Sequence, residues 1–557
     1  MRSLSPPWLA ALPLVLASAW TAPASAADEP QDRQGVPKEL PQLVENGGRV
    51  QPRAPAADEW GFQLHGEYQL RGQFQADLPL GPTATYVDAN PGATTQPLGQ
   101  NAFATNWLRM TPTFQWREAL KVVLQFDVGQ NFPMGQATQG VGLDQAPRDR
   151  SGDAFSYMSL RWLYLDWRTK YGLWRVGQQP NHWGLGVLTN DGDHPSVFGD
   201  YRNGALVERL LFATRPLGEK SSWVVALAGD LVYRDWNARL YRGDVALQAV
   251  VATYVEKGPH QLGVFAVYRN QRTQRSSADG ARYDDALDVG VVDVAGKTAT
   301  LVPGTKDTYL FGAAEAAVLF GASTFPRTPD HARAGDRTSV LGFGAAGQLG
   351  IVHTSSESKK DGPPQTWGVV VGQVELGWAS GDADPYDGSQ KRFTFDPNHK
   401  VGLLLFDEVM RWQTARSATA AADPSLANRP APGADQLPSN GGVFGAQYVN
   451  PTAIVRPRPW LDLKAGMVFA QATADVVDPY RTTVSGSYVN YQGGDPRRRD
   501  LGVEVDLGTE LRIFAFGANV QLGAQGGILF PGRAFADASG ATFGPLGIFI
   551  LRGGLQF

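Results

Sequence analysis

The side chains able to do chemistry in this 557-residue chain are few and scattered. It carries seven histidines (His65, His182, His194, His260, His331, His353 and His399) and no cysteine, which removes thiol catalysis and cysteine-ligated metals. There is no HExxH, no pair of histidines at a recognised metal spacing, no Walker loop and no GxSxG. Ser485-Gly486-Ser487 is a cluster of small residues in a loop. Asn181-His182 beside Trp183, and Asp193-His194, would suit a rim-site hydrolase only with a nucleophile next to them. None can be placed there, so they read as polar loop residues near an aromatic belt, and no enzyme is expected. Asp382, Asp384 and Asp387 gather three carboxylates in one loop, a candidate calcium site. They lack the closing glutamate of an EF-hand, which makes an ordinary acidic turn the plainer reading; no other cofactor is expected. With 50 basic and 54 acidic residues, the net charge of −4 argues against a nucleic-acid partner. Arg497-Arg498-Arg499 is a local exception, suited to lipopolysaccharide phosphates or to plain solvation.

The elements that must position these residues begin with a leader. Arg2, an apolar stretch from Trp8 to Trp20 and the small-x-small run Ala24-Ser25-Ala26 form a signal-peptide pattern over 1–26, with cleavage expected near Ala26. The stretch is shorter than the roughly 20 apolar residues of a helical membrane span, and no later window reaches that length either. Residues 27–60, rich in Pro, Gln and charge, read as a flexible periplasmic lead-in. From Phe62 the pattern changes. Phe62, Leu64, Gly66, Tyr68, Leu70, Gly72 and Phe74 alternate with Gln63, His65, Glu67, Gln69, Arg71 and Gln73. This period of two outlasts the usual soluble strand of about 5–6 residues. Leu108 to Trp116 and Leu120 to Val128 repeat it around a tight turn at 117–119.

Connections then alternate between tight turns and long loops, and the same alternation carries strands to the last residue, Phe557. The expected fold is all-β: a single-chain transmembrane antiparallel β-barrel over 61–557, of about eighteen strands, with short periplasmic turns and long extracellular loops. Such a barrel keeps every backbone polar group paired within hydrocarbon. The closing strand, Phe549, Leu551, Gly553, Leu555 and Phe557 at steps of two, resembles the signal read by the barrel-assembly machinery of the outer membrane. Lipid and lipopolysaccharide are the expected surroundings, in the outer membrane of a Gram-negative bacterium.

Leu64, Leu70, Leu124, Val505, Leu507, Val520 and Leu522 fall on the lipid side. Arg71, Arg109, Glu375, Lys464, Glu504 and Asp506 fall on the other, as pore-lining residues of a water-filled lumen. The longest connection, 382–441, contains VGLLLFDEVMRWQTARSATAA (Val401–Ala421), which reads as a helix. Placed in the vestibule it would show Asp407, Glu408, Arg411 and Arg416 to solvent or solute, as a candidate constriction.

LRWLYLDWRTKYGLWRVGQQPNHWGLG (Leu160–Gly186), SGDADPYDG (Ser380–Gly388), FDEVMRWQTARSA (Phe406–Ala418) and the closing strand resemble the alginate-export family of outer-membrane proteins and its uncharacterised relatives. That resemblance implies an eighteen-stranded single-chain barrel whose arginine-lined pore passes a polyanionic polysaccharide. The charge mix here, with Glu67, Glu375, Glu504 and Asp506 among the basic residues, departs from it. The expected function is a channel for a polar or anionic solute. The alternative is a closed barrel serving as a surface adhesin or assembly factor, followed by a rim-site enzyme.

Overall fold

The structure, a computed structural model, describes residues 60–76, 101–117, 119–129, 133–135, 158–194, 196–199, 204–218, 220–276, 282–324, 337–357, 366–384, 387–421, 438–479, 481–482, 486–515 and 518–557. The expected signal peptide (1–26) and the rest of the lead-in up to residue 59 lie outside them, as does the loop after Gly135.

One sheet of twenty strands accounts for the architecture. Two are short additions, Pro133–Gly135 and Ser389–Gln390, which leaves eighteen staves. These are β1 (Trp60–Ala76), β2 (Asn101–Trp116), β3 (Leu120–Val128), β4 (Met158–Thr169), β5 (Gly172–Pro180), β6 (Leu206–Thr214), β7 (Trp223–Arg234), β8 (Asp244–Lys257) and β9 (His260–Ser276). The second half runs β10 (Arg282–Leu301), β11 (Thr308–Ser323), β12 (Thr338–Glu357), β13 (Thr366–Ala379), β14 (Ala446–Arg458), β15 (Leu461–Ala472), β16 (Asp500–Ala515), β17 (Ala518–Pro531) and β18 (Leu546–Gln556). Each pairs antiparallel with its neighbours, and β18 pairs with β1 (Leu70 opposite Gly553), so the sheet closes. Phe557 completes the seam: its N–H donates to the Gly66 carbonyl and its carbonyl accepts from the Gly66 N–H, both at 2.9 Å.

The outer face explains why closure suffices. Leu64, Leu70, Leu507 and Leu522 point outward and are exposed. At the short-turn end Trp60, Trp167, Tyr171, Trp174 and Trp460 are exposed; at the long-loop end Phe74, Phe320, Phe343, Phe530 and Phe549 are. An apolar band between two aromatic rings is the surface that hydrocarbon and its two interfaces stabilise.

Several strands run further than their alternation suggests. β9 extends to Ser276 and β10 from Arg282 to Leu301, with Arg275 opposite Tyr283 beyond the apolar band. Likewise β10 and β12 absorb part of the apparent loops at 297–307 and 354–366. Backbone pairing continues where side chains have left the lipid zone, so hydrophobic alternation marks the buried stretch of a strand and not its end.

Two of the long connections turn inward. The segment between β5 and β6 (181–205) and the segment between β13 and β14 (380–445) build a hydrophobic core inside the barrel, around Val187, Phe198, Phe393, Phe395, Val401, Leu403, Leu404, Leu405, Phe406, Val409 and Met410. A barrel of this size cannot be filled by wall side chains alone; here the chain's own loops occupy its interior.

Candidate functional site

The site is the interior where these two loops meet the wall. Each is gripped by one wall carboxylate. Glu504 on β16 accepts the backbone N–H groups of Leu403, Leu404 and Leu405 at 2.5, 2.7 and 2.7 Å. Glu315 on β11 accepts those of Leu185, Val187 and Leu188 at 2.5, 3.1 and 3.0 Å. Both carboxylates are buried. Loop backbone taken out of water needs partners for its donors, and charged acceptors give the stronger hydrogen bonds. A glycine in the left-handed region precedes each nest: Gly184 (φ 57°) and Gly402 (φ 70°). A Cβ on Gly184 would lie 2.5 Å from Glu315 Oε2, and one on Gly402 would lie 2.7 Å from Glu504 Oε1, so close approach requires glycine at both.

The two loops are also tied to each other. Asp396 accepts the Asn190 N–H at 3.1 Å, and its own N–H donates to the Val187 carbonyl. His399 meets the Leu185 carbonyl through Nδ1 at 3.1 Å and the Glu375 carboxylate of β13 through Nε2 at 3.0 Å. Burial opposes the imidazolium, but the Glu375 charge and hydrogen bond outweigh it and raise the His399 pKa to about 9. Burial, with the charge of Asp235 beside it, pushes Asp396 up to about 7, against its backbone hydrogen bonds.

The six expected pore-lining residues all lie on the inward side, in three different situations. Glu375 and Glu504 hold loops, and Asp506 is buried beside Glu504 and hydrogen-bonded to it. Arg109 is buried between Asp127 (2.8 Å) and Asp193 of the first inward loop. Lys464 pairs with Glu510 at 3.4 Å, and Arg71 is half-buried on the inner face of β1.

The 401–421 segment departs from expectation in two respects. Only Arg411–Ala421 (α1) is α-helical; Leu405–Met410 is a π-helical turn, in which the Glu408 and Val409 N–H groups both reach the Leu404 carbonyl at 2.9 Å. Glu504 takes the amides that would start a regular helix. Nor are the acidic residues offered to solvent. Asp407 is buried against Lys400 (2.6 Å). Glu408 is buried against Arg411 (2.8 Å), the Trp412 indole (3.2 Å) and the Gln73 amide of the opposite wall (3.1 Å). An apolar run as dense as VGLLLF buries all its sides, and the charges that follow it go in with it. Arg411 is partly buried, and the side chain of Arg416 lies outside the described residues.

Asp382, Asp384 and Asp387 do not converge. Asp382 caps the amides of Asp384 and Lys391, Asp384 accepts the Tyr488 hydroxyl at 2.5 Å, and Asp387 caps Ser389. Among the described residues, the group whose ligating atoms come together is instead His182, Asp191 and His194, all within 4.8 Å of one another. Sequence spacing did not reveal this histidine pair. In the basic run, Arg497 pairs with Asp495 (2.9 Å) and Arg499 with Asp475 (3.2 Å).

A cavity of about 240 Å³ remains between the loops and the wall, lined by Asp235, Arg269, Asp382, Arg392, Asp396 and Phe444, among others. Arg269 is paired with Asp235 at 2.5 Å. Arg392 differs: its guanidinium lies over the Phe444 ring at 4.9 Å, and among the described residues no carboxylate is within ion-pair distance of it. Burial lowers its pKa from the ordinary arginine value, and it stays charged. Sequence reasoning missed Glu315, Arg392, Asp396 and His399. For Glu315 a signal existed, since it is the single charge in TYLFGAAEAAVLFGAS.

Fold and site together define a closed antiparallel barrel with an apolar outer band and an interior filled by its own loops. No family model matches the chain, and no curated protein matches it. Among solved structures it is similar to OccK5 (OpdH) of Pseudomonas aeruginosa, at 9% identity and TM-score 0.42, covering 89% of this chain and 98% of that one. It is similar to OccK9 (OpdG) of the same organism, at 10% identity and TM-score 0.49, over 89% and 98%. A third likeness is to OccAB1 of Acinetobacter baumannii, at 10% identity and TM-score 0.44, over 91% and 99%. Likenesses this distant transfer no residue roles.

Proposed function

We propose that the protein is an outer-membrane channel of a Gram-negative bacterium that passes a small polar solute bearing an anionic group. The observation that carries this reading is the cavity with Arg392 at its edge. Arg109, Arg175, Arg209, Arg269 and Arg456 are each matched by a carboxylate, whereas Arg392 keeps its charge available to whatever enters. The acidic residues around it oppose an anion less than their number suggests. Burial raises both Asp382 and Asp396 from the usual carboxylate range, and backbone amides occupy their oxygens. A small solute fits this interior better than a polysaccharide, because among the described residues the inward loops fill the space that a wide conduit of the alginate-export kind would need.

Planar-bilayer recording of the purified barrel tests the reading. Discrete conductance with anion preference is expected, and deletion of residues 401–421 should raise the conductance several-fold, since the deletion removes no ladder hydrogen bond. Silence from both proteins would overturn it in favour of a closed barrel with a surface role.

A further inference from the structure

We propose that His182, Asp191 and His194 form a binding site for a divalent transition metal of the zinc class at the neck of the first inward loop. Their ligating atoms lie within 4.8 Å of one another, and the two imidazoles are stacked with centroids 3.9 Å apart. Asp191 is wholly buried; its Oδ1 accepts the Asp193 N–H and meets His194 Nδ1, both at 3.0 Å. Its Oδ2 is buried with no hydrogen-bond partner among the described residues, and so is Nδ1 of His182, which faces Asp191 Oδ1 at 3.8 Å. Folded proteins pair the large majority of their buried polar atoms. An orphaned imidazole nitrogen beside an orphaned carboxylate oxygen offers lone pairs and no proton donor, which is what a cation takes.

The donor set selects the metal class. Two imidazoles and one carboxylate suit zinc and its neighbours, with a fourth position left for water, whereas calcium and magnesium take oxygen sets. Zinc–nitrogen bonds of about 2.0–2.1 Å place tetrahedral ligands roughly 3.3 Å apart. To bind one ion the stacked rings must turn until their in-plane lone pairs converge, closing the widest separation by about 1.5 Å; His194, the most exposed of the three, is the ring that turns. An outer shell is already in place. The Gly184 backbone and the Asn190 side chain hold the His182 ring, and Arg161 donates to the Asp191 carbonyl at 2.7 Å. A bound ion would staple the loop directly after β5 and hold Asp193 against Arg109 and Arg161 of the wall.

The test uses the purified, folded barrel after chelation, titrated with Zn²⁺ against a chromogenic competitor and with Co²⁺ followed by visible absorption. One ion per chain is expected, with a low-coordinate cobalt spectrum. Asp191→Asn and His194→Ala should each weaken zinc binding by about a hundredfold or more, since even outer-shell losses cost about 10–100-fold. His260→Ala, at a turn on the far end, should leave it unchanged. Heat-modifiable migration checks that each variant is folded, and the exposed His194 is the safer substitution. Absence of zinc binding by the folded wild type, or equal binding by His194→Ala, would overturn the proposal; binding lost only in His260→Ala would place the ion on the surface and overturn it too.

Discussion

If Glu504 seats the second inward loop, replacing it with alanine should unseat that loop without opening the barrel. The substitution leaves the amides of Leu403, Leu404 and Leu405 without their acceptor in an interior where all three residues are almost fully buried. An orphaned buried donor costs about 1–3 kcal/mol. Three of them, reduced by partial relaxation and entering water, cost on the order of 3–6 kcal/mol. At about 1.4 kcal/mol per tenfold, the unseated population rises roughly a hundredfold to ten-thousandfold. Single-channel recording reads that population as long openings of larger conductance. Glu504→Gln keeps one acceptor oxygen but turns an amide N–H₂ toward a backbone donor, so it should lie between wild type and alanine. Glu510→Ala on the same strand, whose carboxylate meets Lys464 and no loop amide, should behave as wild type. A Glu504→Ala barrel that migrates as folded and gives the wild-type trace would refute the reasoning.

Arg392→Glu should reverse the ion preference measured as a reversal potential in a salt gradient, and Arg269→Gln, whose partner is Asp235, should change it less. The pH dependence has a definite sign. His399 is raised in the folded state to about 9, so its contribution to loop seating is complete below about 6.5 and is lost as pH rises through about 9; open probability should climb across that window, and His399→Gln should remove the rise near 9, leaving only the change near 7 that Asp396 contributes. Gly66→Val should place a side chain into the Phe557 ring that closes the seam, and both it and deletion of Phe557 should lower the heat-modifiable folded fraction. A variant assembling at the wild-type level would show that the seam does not depend on that ring.

The eighteen staves were legible because lipid imposes a period of two on every strand and the turns at one end are short. What the lumen residues touch was not legible. Glu504 and Glu375 could be assigned to the inward face from alternation alone, yet their partners are backbone amides and an imidazole brought from another part of the chain by loop folding. Nothing local encodes such a contact. The same holds for His182 and His194, which sit in a stretch without periodicity, so their approach depends on how the loop turns back on itself. The 401–421 segment failed differently. Its helical spacing was real for α1, but at the start of the segment Glu504 binds the amides of Leu403–Leu405, and the turn that follows is π-helical.

Glu315 on β11 and Glu504 on β16 do the same thing on separate staves of the wall: each takes three closely spaced amides that follow a left-handed glycine. Hydrophobic packing alone would press a loop into the barrel but would not fix its depth, because apolar contact is non-directional. Charged hydrogen bonds to a rigid wall fix it, since a shift along the axis of even one residue leaves several donors unpaired. The ties between the loops, Asn190 to Asp396 and Leu185 to His399, then make the two depths interdependent. Loosening one loop should therefore loosen the other, and a double variant, Glu315→Ala with Glu504→Ala, should open the lumen by less than the sum of the single effects. Strict additivity in single-channel open probability, expressed as free energy, would mean that the loops move independently and that the ties between them carry no coupling.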